Sequence, residues 1–195
     1  KSARTGDSTA PPSRCSCARS NTPSTMSNNN NHPLGQAPWF HVILSTGFGA
    51  GFVPGAPGTA GAFVALVIWY VLYLVLSPVA LMWATIALVV VTLVAGAWTS
   101  GIMEKYWGED PRSVVIDEYL GTWIPMLAAG VAGHPGITAI LAIAGFAAFR
   151  VIDIVKTPLA RRMERVGGGW GVMLDDVVAG FYALLIVIVL RYSIL

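Results

Sequence analysis

Carboxylate side chains are the residues of this chain best suited to chemistry, because acids are scarce in so apolar a sequence. Five of them lie in three short stretches: Asp117 and Glu118 in SVVIDEYLG, Asp153 in FRVIDIVK, and Asp175 and Asp176 in GGGWGVMLDDVVAG. Each stretch adjoins a long apolar run, and an ionisable group at a membrane boundary is costly enough to indicate function. Grouped carboxylates predict binding of a divalent cation and chemistry on a phosphate ester.

The composition is that of an integral membrane protein. Of the 195 residues, 55% are hydrophobic and 11% are charged, and the mean hydropathy is +0.65. These values are too apolar for a soluble domain of this length. No stretch combines a dense basic patch with interleaved aromatic residues, so we predict no nucleic-acid partner. The composition does not indicate whether the protein forms oligomers.

Residues 1–38 differ from the rest of the chain. Ser, Thr, Asn, Pro and Arg predominate there, and no apolar periodicity is present. Such a segment buries too little surface to offset its ordering entropy, so we predict a disordered tail. Its Cys15 and Cys17 form a lone C-x-C without His or Cys partners, which does not predict a metal site. The functional domain is therefore predicted over residues 39–195.

The apolar runs predict an all-α, polytopic bundle of membrane helices. Runs 60–76 and 79–99 flank Ser77 and Pro78, and at about 1.5 Å per residue each spans or nearly spans a core of about 30 Å. Two shorter runs, 119–131 and 137–149, would each reach only about 20 Å as straight helices. They predict a short re-entrant or shallow hairpin. A last run, 177–190, continues to the end of the chain.

Basic residues predict the orientation of this bundle. The hairpins place the loops 101–118 and 150–176 on one side of the membrane. These loops contain Lys105, Arg112, Arg150, Lys156, Arg161, Arg162 and Arg165. The turns on the opposite side contain no Lys or Arg, and Arg191 lies at that far end. Because Lys and Arg accumulate on the cytoplasmic side, we predict cytoplasmic loops that carry all five carboxylates.

The glycine-rich stretch GFGAGFVPGAPGTAGA precedes the first crossing on the same side. Gly58 and Thr59 stand where a helix would begin, and a helix N-terminus capped by Thr59 is a ready anion site. Phosphate is the natural anion. A membrane-entering segment with small residues for helix packing remains an alternative, because G-x-G patterns are weak signals.

Spacing and charge indicate how the acids are compensated. On a helix, Arg150 and Asp153 share a face and can form an ion pair, whereas Asp175 and Asp176 point about 100° apart. The latter two therefore share one cation only near a helix end, or have separate roles. The five carboxylates carry a formal charge of −5, and Arg150 and Lys156 return only +2. Like charges in a low-dielectric cluster need further compensation, and an oxygen-only ligand set favours Mg²⁺ over Zn²⁺.

The three stretches resemble, in order and spacing, the motifs of the phosphatidylglycerophosphatase A family, and the resemblance covers residues 41–190. It implies a Mg²⁺-dependent membrane phosphatase that removes the terminal phosphate of a phospholipid substrate, phosphatidylglycerophosphate, at the cytoplasmic face of the bacterial inner membrane. The matching positions are Asp117, Glu118, Arg150, Asp153, Lys156, Asp175 and Asp176. The segment after Lys156, KTPLARRMER, departs from the Pro-rich and aromatic KPWP pattern of the family.

Each matching residue has a predicted role. The predicted metal ligands are Asp117, Glu118, Asp175 and Asp176. The predicted phosphate-binding residues are Gly58, Thr59, Arg150 and Lys156. The predicted catalytic residues are Asp153, Asp175, Asp176 and Lys156, with Asp153 or Asp176 activating water or attacking directly.

Two other functions compete with this interpretation. A CDP-alcohol phosphatidyltransferase also groups aspartates around divalent metal at a membrane edge, but its D-G-x-x-A-R motif is absent from this sequence. A divalent-cation transporter needs acids deep within its crossings. The runs 60–76 and 79–99 contain none.

Overall fold

The computed structural model describes residues 37–108, 111–131, 133–155, 159 and 168–194. Within these ranges the chain forms six α-helices and one short 3₁₀ turn, and no β-strand. The helices are α1 (Trp39–Ser45), α2 (Pro57–Val75), α3 (Pro78–Trp107), α4 (Ile116–Ala129), α5 (Pro135–Val155) and α6 (Gly168–Ile194). The predicted all-α class is confirmed. The tail predicted over residues 1–38 lies almost entirely outside the described residues.

Four of these helices, α2, α3, α5 and α6, are long and apolar enough to cross a membrane. The predicted first hairpin is confirmed, because α2 ends at Val75 and α3 begins at Pro78. Proline occupies the first position of both helices, where its missing N–H costs no hydrogen bond. The side chain of Ser77 caps α3 by accepting from the amide of Ala80 at 3.4 Å.

The two shorter apolar runs form helices of different length. α4 has 14 residues and would reach about 21 Å, whereas α5 has 21 residues and would reach about 32 Å. The predicted length of about 20 Å was therefore wrong for the second run. The helix does not stop at Phe149 but continues through Arg150 to Val155, because nothing after Phe149 breaks it.

Helix α4 is the centre of the bundle and packs against α2, α3, α5 and α6. Its neighbours approach closely because glycines stand at the crossings: the ring of Phe149 fills the space where Gly121 lacks a side chain. One buried polar group of α4, the indole of Trp123, has a partner in a neighbouring helix. The indole nitrogen of Trp123 donates to the carbonyl of Ala65 in α2 at 2.9 Å, which satisfies a group that would otherwise be costly in an apolar interior.

Successive helices alternate in direction, so one end of the bundle collects the start of α2, the end of α3, the start of α4, the end of α5 and the start of α6. Contacts at that end support this arrangement: Arg150 of α5 reaches α2 and α4, and Gly169 of α6 lies against the backbone of Ala97 and Gly101 in α3. At the opposite end, Arg191 donates to the carbonyl of Val131 at 3.3 Å.

Candidate active site

Arg150, near the end of α5, joins three of the stretches singled out in the sequence. Its Nη1 forms ion pairs with the carboxylates of Glu118 in α4 and of Asp153, the latter at 2.9 Å. Its Nη2 lies 3.4 Å from the hydroxyl of Thr59 in α2. The predicted pair between Arg150 and Asp153 is confirmed, and the side chains of Arg150, Glu118 and Asp153 are all largely buried.

Gly58 lies directly against this arginine and its carboxylate partner. A Cβ at Gly58 would overlap Oε1 of Glu118 and lie 3.3 Å from Nη2 of Arg150. The prediction that Thr59 caps α2 was wrong, because the helix begins at Pro57 and its N-cap is Ala56, without a side-chain cap. Thr59 instead stands in the first turn, where its exposed hydroxyl meets Arg150.

The acidic pair of α4 occupies the first turn of that helix, where the dipole favours negative charge. The carboxylate of Asp117 accepts from the amide of Glu118 at 3.0 Å. Burial raises the pKa of Asp117 well above its usual range, and the charge of Glu118 raises it further. Burial likewise raises the pKa of Glu118 to about 7, although the charge of Arg150 opposes this shift. This corner of the site therefore favours a bound proton or cation.

The two acids of α6 complete the electrostatic cluster. The charges of Asp175 and Asp153 also contribute to the raised pKa of Asp117, so the three acidic stretches lie within one electrostatic field. Asp176 is 3% exposed, and Asp175 is half-buried. α6 begins at Gly168, so the pair lies two turns inside the helix and not at its end. Of the two predicted arrangements, separate roles for the two acids fit this position.

The donor chemistry of the site fits Mg²⁺, because every acidic group in it offers oxygen and two carboxylates with phosphate and water suffice. In the part of the chain that the structure describes, no three Asp, Glu, His or Cys side chains converge closely enough to hold one ion. Arg150 instead contacts two of the acids. The Mg²⁺ site stays a prediction, with Asp117, Glu118, Asp175 and Asp176 as its ligands.

Lys156, predicted to bind phosphate and to take part in catalysis, lies outside the described residues. The same holds for Arg161, Arg162 and Arg165 of the predicted basic loop. The described site therefore rests on Arg150, the five acids and the start of α2.

Sequence reasoning missed the contacts that hold the glycine-rich stretch against α4. The hydroxyl of Tyr119 donates to the carbonyl of Gly47 at 2.9 Å, and the amide of Val115 donates to the carbonyl of Ser45 at 2.8 Å. Gly51 lies against the carbonyl of Ser113, with no room for a side chain. The only feature of the sequence that could have indicated these contacts is the position of Tyr119, directly after the acidic pair and at the start of an apolar run.

Comparison with known proteins gives one family model and three relatives. Residues 43–191 match the family model described as Phosphatidylglycerophosphatase A. A protein of Bacteroides thetaiotaomicron named "Putative phosphatidylinositol-3-phosphatase" is 49% identical over 153 residues, which cover 78% of this chain and 94% of the relative. No solved structure matches the chain.

Two further relatives carry the name Phosphatidylglycerophosphatase A. The protein of Escherichia coli (strain K12) is 35% identical over 146 residues, which cover 73% of this chain and 77% of the relative. The protein of Haemophilus influenzae is 30% identical over 165 residues, which cover 83% of this chain and 96% of the relative. The chain belongs to the phosphatidylglycerophosphatase A family.

Proposed function

We propose that this protein hydrolyses the terminal phosphate of phosphatidylglycerophosphate to give phosphatidylglycerol and inorganic phosphate in phospholipid biosynthesis. The observation that carries the proposal is Arg150, which joins Glu118, Asp153 and Thr59 at one end of a membrane helix bundle. Two relatives with the matching name support the choice of substrate. A lipid headgroup phosphate meets the bundle at the same end.

The chemistry needs a group that binds the phosphate and a group that accepts a proton. Arg150 supplies positive charge, and the first-turn amides of Gly58 and Thr59 supply N–H donors that a helix start leaves without intrahelical partners. The oxygen of water, or of an aspartate, forms the new bond to phosphorus, the bond between phosphorus and the glycerol oxygen breaks, and that oxygen takes up a proton. Where an aspartate attacks, water then forms a bond to the same phosphorus and the bond from phosphorus to the aspartate oxygen breaks, which releases inorganic phosphate and restores the carboxylate. Asp153 and Asp176 are the candidates for the acid that activates water or attacks.

We propose Mg²⁺ as the cofactor, held by carboxylates from among Asp117, Glu118, Asp175 and Asp176, with Asp175 and Asp176 not both on the same ion. When bound, Mg²⁺ offsets the carboxylate charges and withdraws electron density from the phosphate oxygens. The raised pKa values of Asp117 and Glu118 support a cation there, because a buried acidic cluster without compensation holds protons instead.

The orientation we propose places the site at the cytoplasmic face of a bacterial inner membrane. Among the described residues, Lys105, Arg112 and Arg150 lie at the site's end of the bundle, and Arg191 lies at the opposite end. This asymmetry follows the positive-inside rule.

A second candidate substrate is phosphatidylinositol 3-phosphate, which is favoured by the name of the relative that is 49% identical. Both lipids present a phosphate monoester at the membrane surface, so the groups around Arg150 suit either. They differ in the alcohol released, which is a primary glycerol hydroxyl in one case and a ring hydroxyl in the other.

The test is phosphate release by the purified protein in liposomes that contain phosphatidylglycerophosphate, phosphatidylinositol 3-phosphate or phosphatidic acid. The proposal expects hydrolysis of phosphatidylglycerophosphate that requires Mg²⁺ and stops with EDTA. Selective hydrolysis of phosphatidylinositol 3-phosphate would establish the second candidate instead. Release from none of the lipids, or full activity in Asp175→Asn and Asp176→Asn proteins that remain folded, would overturn both.

A further inference from the structure

The segment from α1 through the turn that follows it, residues 39–53, presents an apolar outer surface. We name it the interfacial segment. It contains no Asp, Glu, Lys or Arg. Its exposed apolar side chains are Trp39, Phe40, Ile43, Phe48, Phe52 and Val53. A surface this rich in exposed aromatic rings, directly before a membrane helix, is typical of the boundary between water and lipid.

The position of α1 along the bundle agrees with such a boundary. The ring of His41 lies against Trp98 of α3, with ring centroids 4.8 Å apart. Trp98 follows Pro78, the first residue of α3, by twenty positions, which is a rise of about 30 Å and therefore one hydrocarbon thickness. On the other side, α2 begins at Pro57, only four residues after the interfacial segment ends. Both neighbours place the segment where the helices leave the hydrocarbon.

Phe48 is held outward by an unusual backbone. Its φ is +56°, the only positive φ of a non-glycine residue in the described ranges, and its side chain is 75% exposed. This left-handed conformation is sterically disfavoured for a residue with a Cβ, and such residues cluster at functional positions. Local bonds maintain it: the amide of Phe48 donates to the carbonyl of Ile43 at 2.9 Å, and that of Gly49 to the hydroxyl of Thr46 at 3.3 Å.

The inner side of the interfacial segment is fixed to the catalytic end of α4. Tyr119, which donates to Gly47, directly follows Glu118 in the sequence, and Val115, which donates to Ser45, precedes Asp117 by two residues. The depth of the segment in a bilayer therefore determines the depth of the acidic cluster.

We propose that the interfacial segment inserts its aromatic side chains, Phe48 foremost, among the headgroups and upper acyl chains of the bilayer on the site's side. The partner is the lipid surface, and the contact holds the acidic cluster at the depth of the lipid phosphates. The membrane-spanning surface of α2 continues into this segment without a charged residue, which favours lipid over water as its surroundings. The consequence for catalysis rests on the proposed function, but the insertion itself does not.

Insertion is tested with an environment-sensitive fluorophore. The label is attached to Phe48→Cys in a protein that also carries Cys15→Ser and Cys17→Ser, in liposomes of phosphatidylethanolamine and phosphatidylglycerol. The control is the same label on Arg112→Cys, an exposed position between α3 and α4. The proposal expects blue-shifted emission and strong quenching by shallow doxyl lipids at position 48 only. Equal quenching at both positions would overturn it, as would protection at position 48 from both doxyl lipid and iodide, which indicates cover by protein.

Activity provides the second readout. Phe48→Gly removes the ring and also relieves the disfavoured backbone, so the fold is not endangered. We expect its KM for bilayer-embedded substrate to rise about tenfold, with kcat unchanged, and Phe48→Trp to restore it. Hydrolysis of a short-chain, water-soluble analogue should be unaffected. An unchanged KM in Phe48→Gly overturns the catalytic consequence. If no lipid is hydrolysed at all, the proposed function fails while the fluorescence result still decides insertion.

Discussion

One nitrogen of Arg150, Nη1, pairs with both Glu118 and Asp153, and so connects the first turn of α4 to the last turns of α5. The two carboxylates belong to different sequence motifs, and only the folded bundle brings them to the same cation. Because these side chains are largely shielded from water, the guanidinium compensates charges that solvent does not. The relationship makes Arg150 the residue on which the charge balance of this end of the bundle depends, and on which the proposed phosphate contact would depend as well.

Replacement of Arg150 should impair both activity and stability. We expect Arg150→Met to lower phosphate release by at least about 100-fold and to destabilise the fold by about 3 kcal/mol, because it leaves two buried carboxylates without their partner. Arg150→Lys should recover part of the stability but little activity, since a lysine lacks the two-nitrogen fork. The measurements are phosphate release and thermal unfolding in detergent.

Arg112→Met is the matched control for this substitution. Arg112 is exposed at the same end of the bundle. Its replacement by methionine therefore removes the same charge without touching the acidic cluster. We expect less than about 0.5 kcal/mol of destabilisation. If Arg112→Met and Arg150→Met behaved alike, the effect would come from net charge and not from the ion pairs.

The raised pKa of Glu118 predicts a pH dependence of stability in the absence of divalent metal. The folded protein holds this proton up to about pH 7, whereas the unfolded chain releases it near the ordinary value of 4.5. The stabilising contribution is therefore complete below about pH 4.5 and is lost as the pH rises through 7. The difference between the pKa of Glu118 in the folded protein and in the unfolded chain corresponds to about 3 kcal/mol in the free energy of unfolding.

We expect the thermal midpoint of unfolding, measured in EDTA, to decrease as the pH is raised from 5 to 7.5. We expect Glu118→Gln to flatten that part of the profile. The substitution keeps the shape and hydrogen-bonding capacity of the side chain but removes its titration. A steep decrease that persists in Glu118→Gln would assign the dependence to Asp117 or to another acid of the cluster.

The sequence was sufficient for the all-α class, for the first hairpin and for part of the site, and the reason is physical. Apolar length and proline positions determined the α2 and α3 hairpin, and spacing alone gave the pair between Arg150 and Asp153. The predicted loop over residues 150–176 was wrong from Gly168 onward, because α6 begins there. The apolar run alone did not reveal this turn of helix, in which Gly169 packs closely on Ala97 of α3. Pairings such as Tyr119 with Gly47 depend on chain folding over 72 residues, which no local pattern reveals.

The contact between Gly47 and Tyr119 predicts a strong effect of a single methyl group. In Gly47→Ala, the added Cβ would lie 2.5 Å from Cε2 of Tyr119, and the backbone φ of +54° is unfavourable for alanine. We expect a loss of about 2–4 kcal/mol in the free energy of unfolding and at least about tenfold lower activity. The cause is displacement of the segment that precedes Gly58.

Gly49→Ala separates the effect of the contact with Tyr119 from the effect of the positive backbone φ. Gly49 also has a positive φ, +94°, but a Cβ there would meet no heavy atom within 4 Å. This control carries only the backbone penalty of about 1 kcal/mol, with activity retained. Equal losses in the two variants, measured by thermal unfolding and phosphate release, would show that backbone strain and not the tyrosine contact determines the outcome.

The packing of Gly121 against Phe149 predicts that a change in the core of α4 reaches the site. A Cβ at Gly121 would overlap the Phe149 ring, which is fully buried and cannot move away without moving its neighbour Arg150. We expect Gly121→Ala to cost about 1–3 kcal/mol and to lower kcat about tenfold by shifting the guanidinium relative to Glu118. As the control, Gly136→Ala in the first turn of α5 meets no heavy atom within 4 Å and should leave kcat unchanged with up to about 1 kcal/mol of added stability. Steady-state kinetics and unfolding of the two variants test this, and an unchanged kcat in a destabilised Gly121→Ala protein would show that core packing does not position Arg150.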